Sequence, residues 1–174
     1  GGAEQLPVDD DGVDGCMAGL VLNFAPDPAA ALLEMRRVTR RGGTVAVVVW
    51  DYADGMQLLR RFWDAAVAVD PSAAGLDEGR RFARFTADAL ATAFDAAGLR
   101  RVETRALDVP ARFTDFDDLW EPFRGGVGPA PAYCASLDDD HRAALRERLR
   151  DSVPTASDGS ISLTCRAWAV RGVV

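Results

Sequence analysis

The sequence predicts an α/β fold, and three observations carry that prediction. Two strand-like runs, Val13–Leu22 and Thr44–Trp50, are apolar on both faces, the signature of strands covered by helices above and below. Between them, Asp27-Pro28 opens a helix whose Ala31, Leu32, Met35 and Val38 recur at three- and four-residue spacing. Strand, helix and strand joined by short links form a right-handed crossover, so the two strands are expected to be parallel neighbours.

The remaining elements follow in order. The first helix is expected over Pro28–Arg40, ending at Gly42-Gly43 in a left-handed cap, with Arg36, Arg37, Arg40 and Arg41 solvated in its last turns. Gln57–Val69 has helical periodicity, Asp70–Arg84 reads as loop, and Thr86 opens a helix that Gly98 ends. Arg101–Val109 is a strand. Thr114 caps a short helix over Asp115–Phe123, and a Gly/Pro loop follows over Gly125–Pro131. Ser136 with Asp139 resembles a capping box before a helix over Leu137–Asp151. Ser160–Val170 alternates apolar and polar residues, as an antiparallel strand with one buried face does.

At 174 residues and 48% hydrophobic, the chain reads as one domain over residues 1–174, with helical and loop insertions over 52–85 and 110–155 covering the sheet. The net charge of −7, with arginines interleaved among acids, argues against a phosphate-backbone partner, so no nucleic acid is expected. There is no long apolar run and no charged-then-apolar leader, so no membrane partner is expected and the expected location is cytoplasmic. Cys16, Cys134 and Cys165 have neither disulfide-framework nor zinc spacing.

Several pieces in order resemble a known family. They are Gly2-Ala3-Glu4-Gln5-Leu6-Pro7, the strand led by Asp14, Leu20-Val21-Leu22-Asn23-Phe24, Asp27-Pro28, Glu34-Met35-Arg36-Arg37-Val38, and Arg41-Gly42-Gly43 before a Val-rich strand. This order resembles the second half of a class I S-adenosylmethionine-dependent methyltransferase, in the ubiquinone/menaquinone methyltransferase-like group. The tail, ending in Arg166-Ala167-Trp168-Ala169-Val170, is similar to the same group. The resemblance implies a partial Rossmann-like methyltransferase sheet, strands equivalent to the family's 4-5-7-6, the last antiparallel, with helices on both faces.

The same resemblance implies S-adenosyl-L-methionine as cofactor and a small-molecule substrate. It also implies that the glycine-rich loop and the ribose-binding acid of the family's first strands are missing, as in a truncated chain. The glycine cluster Gly125-Gly126-Val127-Gly128 follows a helix rather than a strand and is read as a surface loop.

By resemblance, Gly2, Ala3 and Glu4 form the adenine loop, with Gly2 where the family carries an acid and the Ala3 N–H retained. The alternative is that residues 1–6 are a loose terminus. Ala18, Gly19 and Leu20 would present backbone to the cofactor at the carboxyl end of the sheet. Asn23 is either a substrate-facing residue or a polar turn residue before Asp27. Trp50, Tyr52, Trp120 and Phe123 either line an apolar substrate pocket or are core. His141 reads as a solvated helix-start residue, and no catalytic set or metal site is expected. Methyl transfer needs the reacting atoms held in line, so positioning carries most of the rate.

Two functions remain open at this point: a methyltransferase of small molecules lacking its N-terminal cofactor half, or a non-catalytic remnant acting as a homodimeric binding module. The open apolar edge of Val13–Leu22 is the expected homodimer contact.

Overall fold

The computed structural model describes residues 2–125 and 127–174; Gly1 and Gly126, the latter in the predicted glycine loop, lie outside the described residues. In chain order the elements are β1 (Val13–Gly19), α1 (Pro28–Val38), β2 (Thr39–Trp50), α2 (Gln57–Val69), α3 (Glu78–Arg81) and α4 (Ala87–Ala96). They continue with β3 (Arg100–Phe113), α5 (Phe116–Gly125), α6 (Pro129–Ser136), α7 (Asp139–Ser152) and β4 (Ile161–Val173). The four strands form one sheet in the order β1-β2-β4-β3, with β1 and β2 parallel and β2 and β4 antiparallel. This is the mixed α/β sheet, and the strand order, that the resemblance implies.

The chain divides into two compact units, one of residues 1–51, 84–107 and 166–174, the other of residues 52–83 and 108–165. In the first unit, Val45, Val47 and Val49 of β2 are fully buried, with Leu32, Met35 and Val38 of α1 and Leu90 and Phe94 of α4 also in the core. Asp27 caps α1 as predicted, its Oδ1 accepting from the Ala29 and Ala30 N–H groups at 3.0 Å each.

The end of α1 differs from the expectation. The helix stops at Val38, two residues early, where Thr39 turns extended and its hydroxyl donates to the Met35 carbonyl at 2.7 Å. Gly42 does adopt φ +78°, but within β2 rather than as a helix cap. There it absorbs an irregularity in register, in which Val13 pairs with Thr39 and Gly15 with Thr44. The predicted Thr44–Trp50 strand is therefore the regular part of a longer one.

β1 also departs from the expectation of a strand buried on both faces. It ends at Gly19, and it is the edge of the sheet, with Met17 73% exposed. The apolar sequence reports what β1 is suited to pair with, while its exposure follows from having a partner strand on one side only.

The second unit packs an aromatic core. Phe62 stacks on Phe123 with ring centroids 4.3 Å apart, Trp63 meets Phe62 edge-on at 5.2 Å, and Leu145 and Leu149 of α7 are fully buried in the same cluster. Three readings are corrected here. Residues 70–84 hold a 3-10 turn over Pro71–Gly75 and the short helix α3 rather than plain loop. The Gly/Pro loop gives way at Pro129 to α6, because proline suits a first helical position. Asp138, not Ser136, caps α7, its carboxylate accepting from the His141 N–H at 2.8 Å.

Candidate functional site

Of the predicted cofactor residues, all in the first unit, Ala18, Gly19 and Leu20 lie at the carboxyl end of the parallel pair. Ala18 and Gly19 pair with Val47 and Val48. Leu20 then bends the chain in a left-handed conformation, φ +60°, while its N–H still donates to the Val48 carbonyl at 2.7 Å. A non-glycine residue held there is uncommon and marks a constrained turn. A Cβ added at Gly19 would meet nothing within 4 Å, so this strand end faces open space.

Just beyond the bend, the 3-10 turn Leu22–Phe24 buries Asn23 to 3% exposure. Its amide nitrogen and oxygen have no hydrogen-bond partner among the described residues. Such an orphaned carboxamide is costly, of order 1–3 kcal/mol, and calls for a water or ligand partner. Beside the same turn, a cavity of about 260 Å³ is lined by Leu22, Pro28, Leu32, Phe85 and Leu90.

The segment before β1 is tied to α1. Glu34 Oε1 accepts from the Leu6 N–H at 2.8 Å, and Arg37 Nη2 donates to the Val8 carbonyl at 2.8 Å. Glu4 Oε1 accepts from the Asp27 N–H at 3.2 Å. A Cβ at position 2 would lie 2.5 Å from Glu4 Oε2, the mobile end of a flexible side chain. The Glu4 carboxylate thus fills the space into which a side chain from position 2 would grow. Two residues after Gly2, where the resemblance implies a lost acid, the Glu4 carboxylate is bonded to the Asp27 N–H.

The aromatic candidates separate by unit. Trp50 closes β2 in the first unit, half-buried and paired with Ala167. In the second unit, Tyr52 is 8% exposed with its ring 4.9 Å from Phe82, while Trp120 and Phe123 are buried in the aromatic core. Burial, with the nearby Glu78 charge, pushes the Tyr52 phenol up. His141 is exposed, and its hydrogen bond to Asp138 raises its pKa.

Glu78 is a functional candidate that sequence reading missed. It is 7% exposed, accepts from Trp63 Nε1 at 3.3 Å, and has a raised pKa because of burial. The available signal was the charge run Asp77-Glu78-Gly79-Arg80-Arg81, an N-cap acid before a helix ending in arginines.

The adenine side of a nucleoside cofactor fits what is present: an N–H at Ala3, a carboxylate at Glu4 and an open strand end at Gly19. The sheet order and the bend after a parallel strand define the class: the chain has the fold of the class I S-adenosylmethionine-dependent methyltransferases, whose cofactor is S-adenosylmethionine. A methyltransferase domain family model matches residues 1–47.

Among curated proteins, the chain is similar to methyltransferase ucsB of an Acremonium species, 28% identical over 140 residues, covering 78% of this chain and 45% of that protein. It thus spans less than half the length of that relative. It is also 44% identical over 48 residues to an uncharacterized protein of Mycobacterium tuberculosis, covering 28% of this chain and 18% of that one.

Among solved structures, a protein of an antibiotic biosynthesis pathway of Anabaena variabilis superposes with TM-score 0.58 at 18% identity, over 100% of this chain and 72% of that one. The YcgJ protein of Bacillus subtilis gives TM-score 0.55 at 18% identity, over 99% and 68%. Phosphoethanolamine N-methyltransferase 2 of Haemonchus contortus, solved with S-adenosyl-L-methionine, gives TM-score 0.50 at 10% identity, over 98% and 35%. At these identities the solved structures establish the fold.

Proposed function

We propose that this chain takes part in S-adenosylmethionine-dependent methyl transfer to a small molecule. The observation that carries the proposal is the left-handed Leu20 bend at the carboxyl end of β1, with the unpartnered Asn23 carboxamide three residues on. Ligands of open α/β sheets bind outside the carboxyl ends of parallel strands.

In this reading the Ala3 N–H and the Glu4 carboxylate take the adenine edge, one donating and the other accepting. The backbone of Ala18, Gly19 and Leu20 borders the cofactor, and the absent side chain at Gly19 leaves room for it. Asn23 and Trp50 are the substrate-side residues of the first unit. In the second unit Tyr52 is the proposed substrate-side aromatic, and Trp120 and Phe123, also proposed, lie within the aromatic core. The bound cofactor supplies an electrophilic methyl group; the chain's contribution is orientation and exclusion of water, and no residue is assigned as catalytic.

Calorimetric titration with S-adenosylmethionine tests the proposal. Binding to the native state at about a hundred times its Kd should raise stability by roughly 2.7 kcal/mol. No heat and no thermal shift at millimolar cofactor would overturn binding by this chain.

A second reading has its own support: Met17 and Val21 are 73% and 53% exposed along the sheet's edge strand and its exit. A second copy pairing along β1 would make the chain a homodimeric interaction module. Sedimentation at micromolar concentration distinguishes the two-chain species from a monomer.

A further inference from the structure

The second unit holds a cavity of about 540 Å³ lined by two acids and two arginines. It is lined by Leu76, Asp77, Glu78, Arg80, Arg81 and Pro129, among others. Asp77 is spoken for. Arg60 holds both its oxygens, Nη1 donating to Oδ2 at 3.0 Å and Nη2 to Oδ1, and the Gly79 N–H donates to Oδ1 at 2.8 Å. Arg80 lies 3.9 Å from the same carboxylate.

Glu78 is different. It is more than nine-tenths buried, yet only Oε2 receives a hydrogen bond, from Trp63 Nε1 at 3.3 Å. Its Oε1 accepts none among the described residues. On the same cavity wall, Arg81 forms no ion pair among the described residues; its guanidinium lies 5.1 Å over the Phe82 ring. One cavity thus presents a carboxylate whose Oε1 accepts no hydrogen bond from the described residues and a guanidinium in no close ion pair, whose charge favours the ionised Glu78.

The Oε1 of Glu78 keeps contact with solvent, and a charged donor bonds a carboxylate more strongly than a neutral one. An ammonium group can donate to that oxygen of Glu78, and a carboxylate can accept from the Arg81 guanidinium. We propose that this cavity binds small zwitterions of the amino-acid class, the ammonium group on Glu78 and the carboxylate on Arg81, with an apolar side chain against Leu76 and Pro129. The site would name the acceptor class of the proposed methyl transfer. That step rests on the methyltransferase reading, whereas the binding itself does not.

Three probes differing only in charge test it by calorimetry on the full chain: L-phenylalanine, 2-phenylethylamine and 3-phenylpropionate. The amino acid should bind most tightly. Glu78→Gln should weaken the amino acid and the amine by about tenfold or more and leave the acid unchanged. Arg81→Gln should weaken the amino acid and the acid and spare the amine. Equal affinity of the three probes, no binding at millimolar concentration, or an amine affinity unmoved by Glu78→Gln would overturn the proposal.

Thermal melts accompany each variant. If Glu78→Gln does not fold, the exposed Arg81→Gln decides alone, since loss of the amino acid with retention of the amine supports the site and any other pattern overturns it. S-adenosylmethionine titrated into the same protein keeps the two ideas apart. Zwitterion binding without cofactor binding sinks the methyltransferase reading alone; the converse sinks this site alone.

Discussion

The Leu20 N–H donates to the Val48 carbonyl at 2.7 Å while Leu20 itself is held at φ +60°. The bond continues the β1–β2 ladder one residue past the Gly19–Val48 pair, so the chain turns without losing the partner of its edge. The left-handed conformation costs an L-residue roughly 1–2 kcal/mol, which glycine does not incur. Leu20 is 38% exposed, so its side chain contributes only part of its burial energy. Leu20→Gly is expected to leave stability within about 1 kcal/mol of the parent, the relief of strain offsetting the entropy of glycine. Leu20→Val should lose about 1–2 kcal/mol, because a β-branched residue is poorly tolerated at positive φ. Urea denaturation measures both, and a stability ranking of valine above glycine would refute the strain argument.

Gly43 sits where backbones approach too closely for any side chain. A Cβ there would lie 2.6 Å from the Asp14 carbonyl oxygen, 2.6 Å from Thr39 Cγ2 and 2.8 Å from the Arg40 carbonyl oxygen. Two of the three are backbone atoms, so relief requires the β1–β2 junction to open. Gly43→Ala is expected to cost about 1–3 kcal/mol. Gly19→Ala is the contrasting substitution, since its Cβ meets nothing and stability should change by less than about 1 kcal/mol. That same methyl group occupies the space assigned to the cofactor, so cofactor affinity should fall at least tenfold while the melt stays put. Unchanged affinity in Gly19→Ala would remove Gly19 from the site.

The parts of the fold legible in the sequence were those fixed by strong local signals. Asp27-Pro28 marked a helix start because cap and ring geometry act within three residues, and the two apolar runs with a helix between them implied a parallel pair. Gly42-Gly43 misled for a physical reason. A glycine pair marks a need for unusual backbone or close approach, and here the need arose from Asp14, nearly thirty residues away. α3, with four residues, is too short for any periodicity to announce it.

The candidate site was legible as backbone positions at Ala18, Gly19 and Leu20, because topology places them. Glu78 was not, since its interest lies in what fails to pair with it. Only a folded chain shows that Arg60 is committed to Asp77.

Glu34 links the N-terminal segment to α1, and its acidity records the link. Hydrogen bonds from Arg37, at 2.7 Å to each carboxylate oxygen, and from the Leu6 N–H hold its pKa down to about 2. Asp10 faces the same guanidinium and shares its charge. A carboxylate whose pKa is lower folded than unfolded stabilises the fold above its unfolded value, and that contribution is lost as pH falls through the folded value. The Glu34 contribution should therefore be whole above about pH 5 and disappear between about pH 4.5 and pH 2. Other lowered acids, Asp70, Asp77, Asp138 and Asp158, titrate in acid as well, so the comparison is with Glu34→Gln. The stability difference between parent and variant, followed by melts from pH 7 to pH 2, should shrink across that window. A difference constant with pH would mean that the ion pair contributes nothing to folding.

Met17 offers the sharpest test of the open sheet edge. It is 73% exposed on β1, which pairs with β2 on one side only. A lysine at an edge position opposes pairing with another chain, since docking would have to desolvate the charge beside an apolar surface. Because Met17 contributes little to the core, Met17→Lys should alter the stability of the monomer by no more than about 0.5 kcal/mol. If a second copy covers β1, the substitution should move a dimer to monomer in sedimentation velocity and raise the dissociation constant by tenfold or more. A dimer indifferent to the lysine would place the contact elsewhere, and a parent that sediments as a monomer would overturn the dimer. A parent that sediments as a monomer but aggregates slowly, with Met17→Lys remaining soluble, would identify the same edge as a template without a fixed partner.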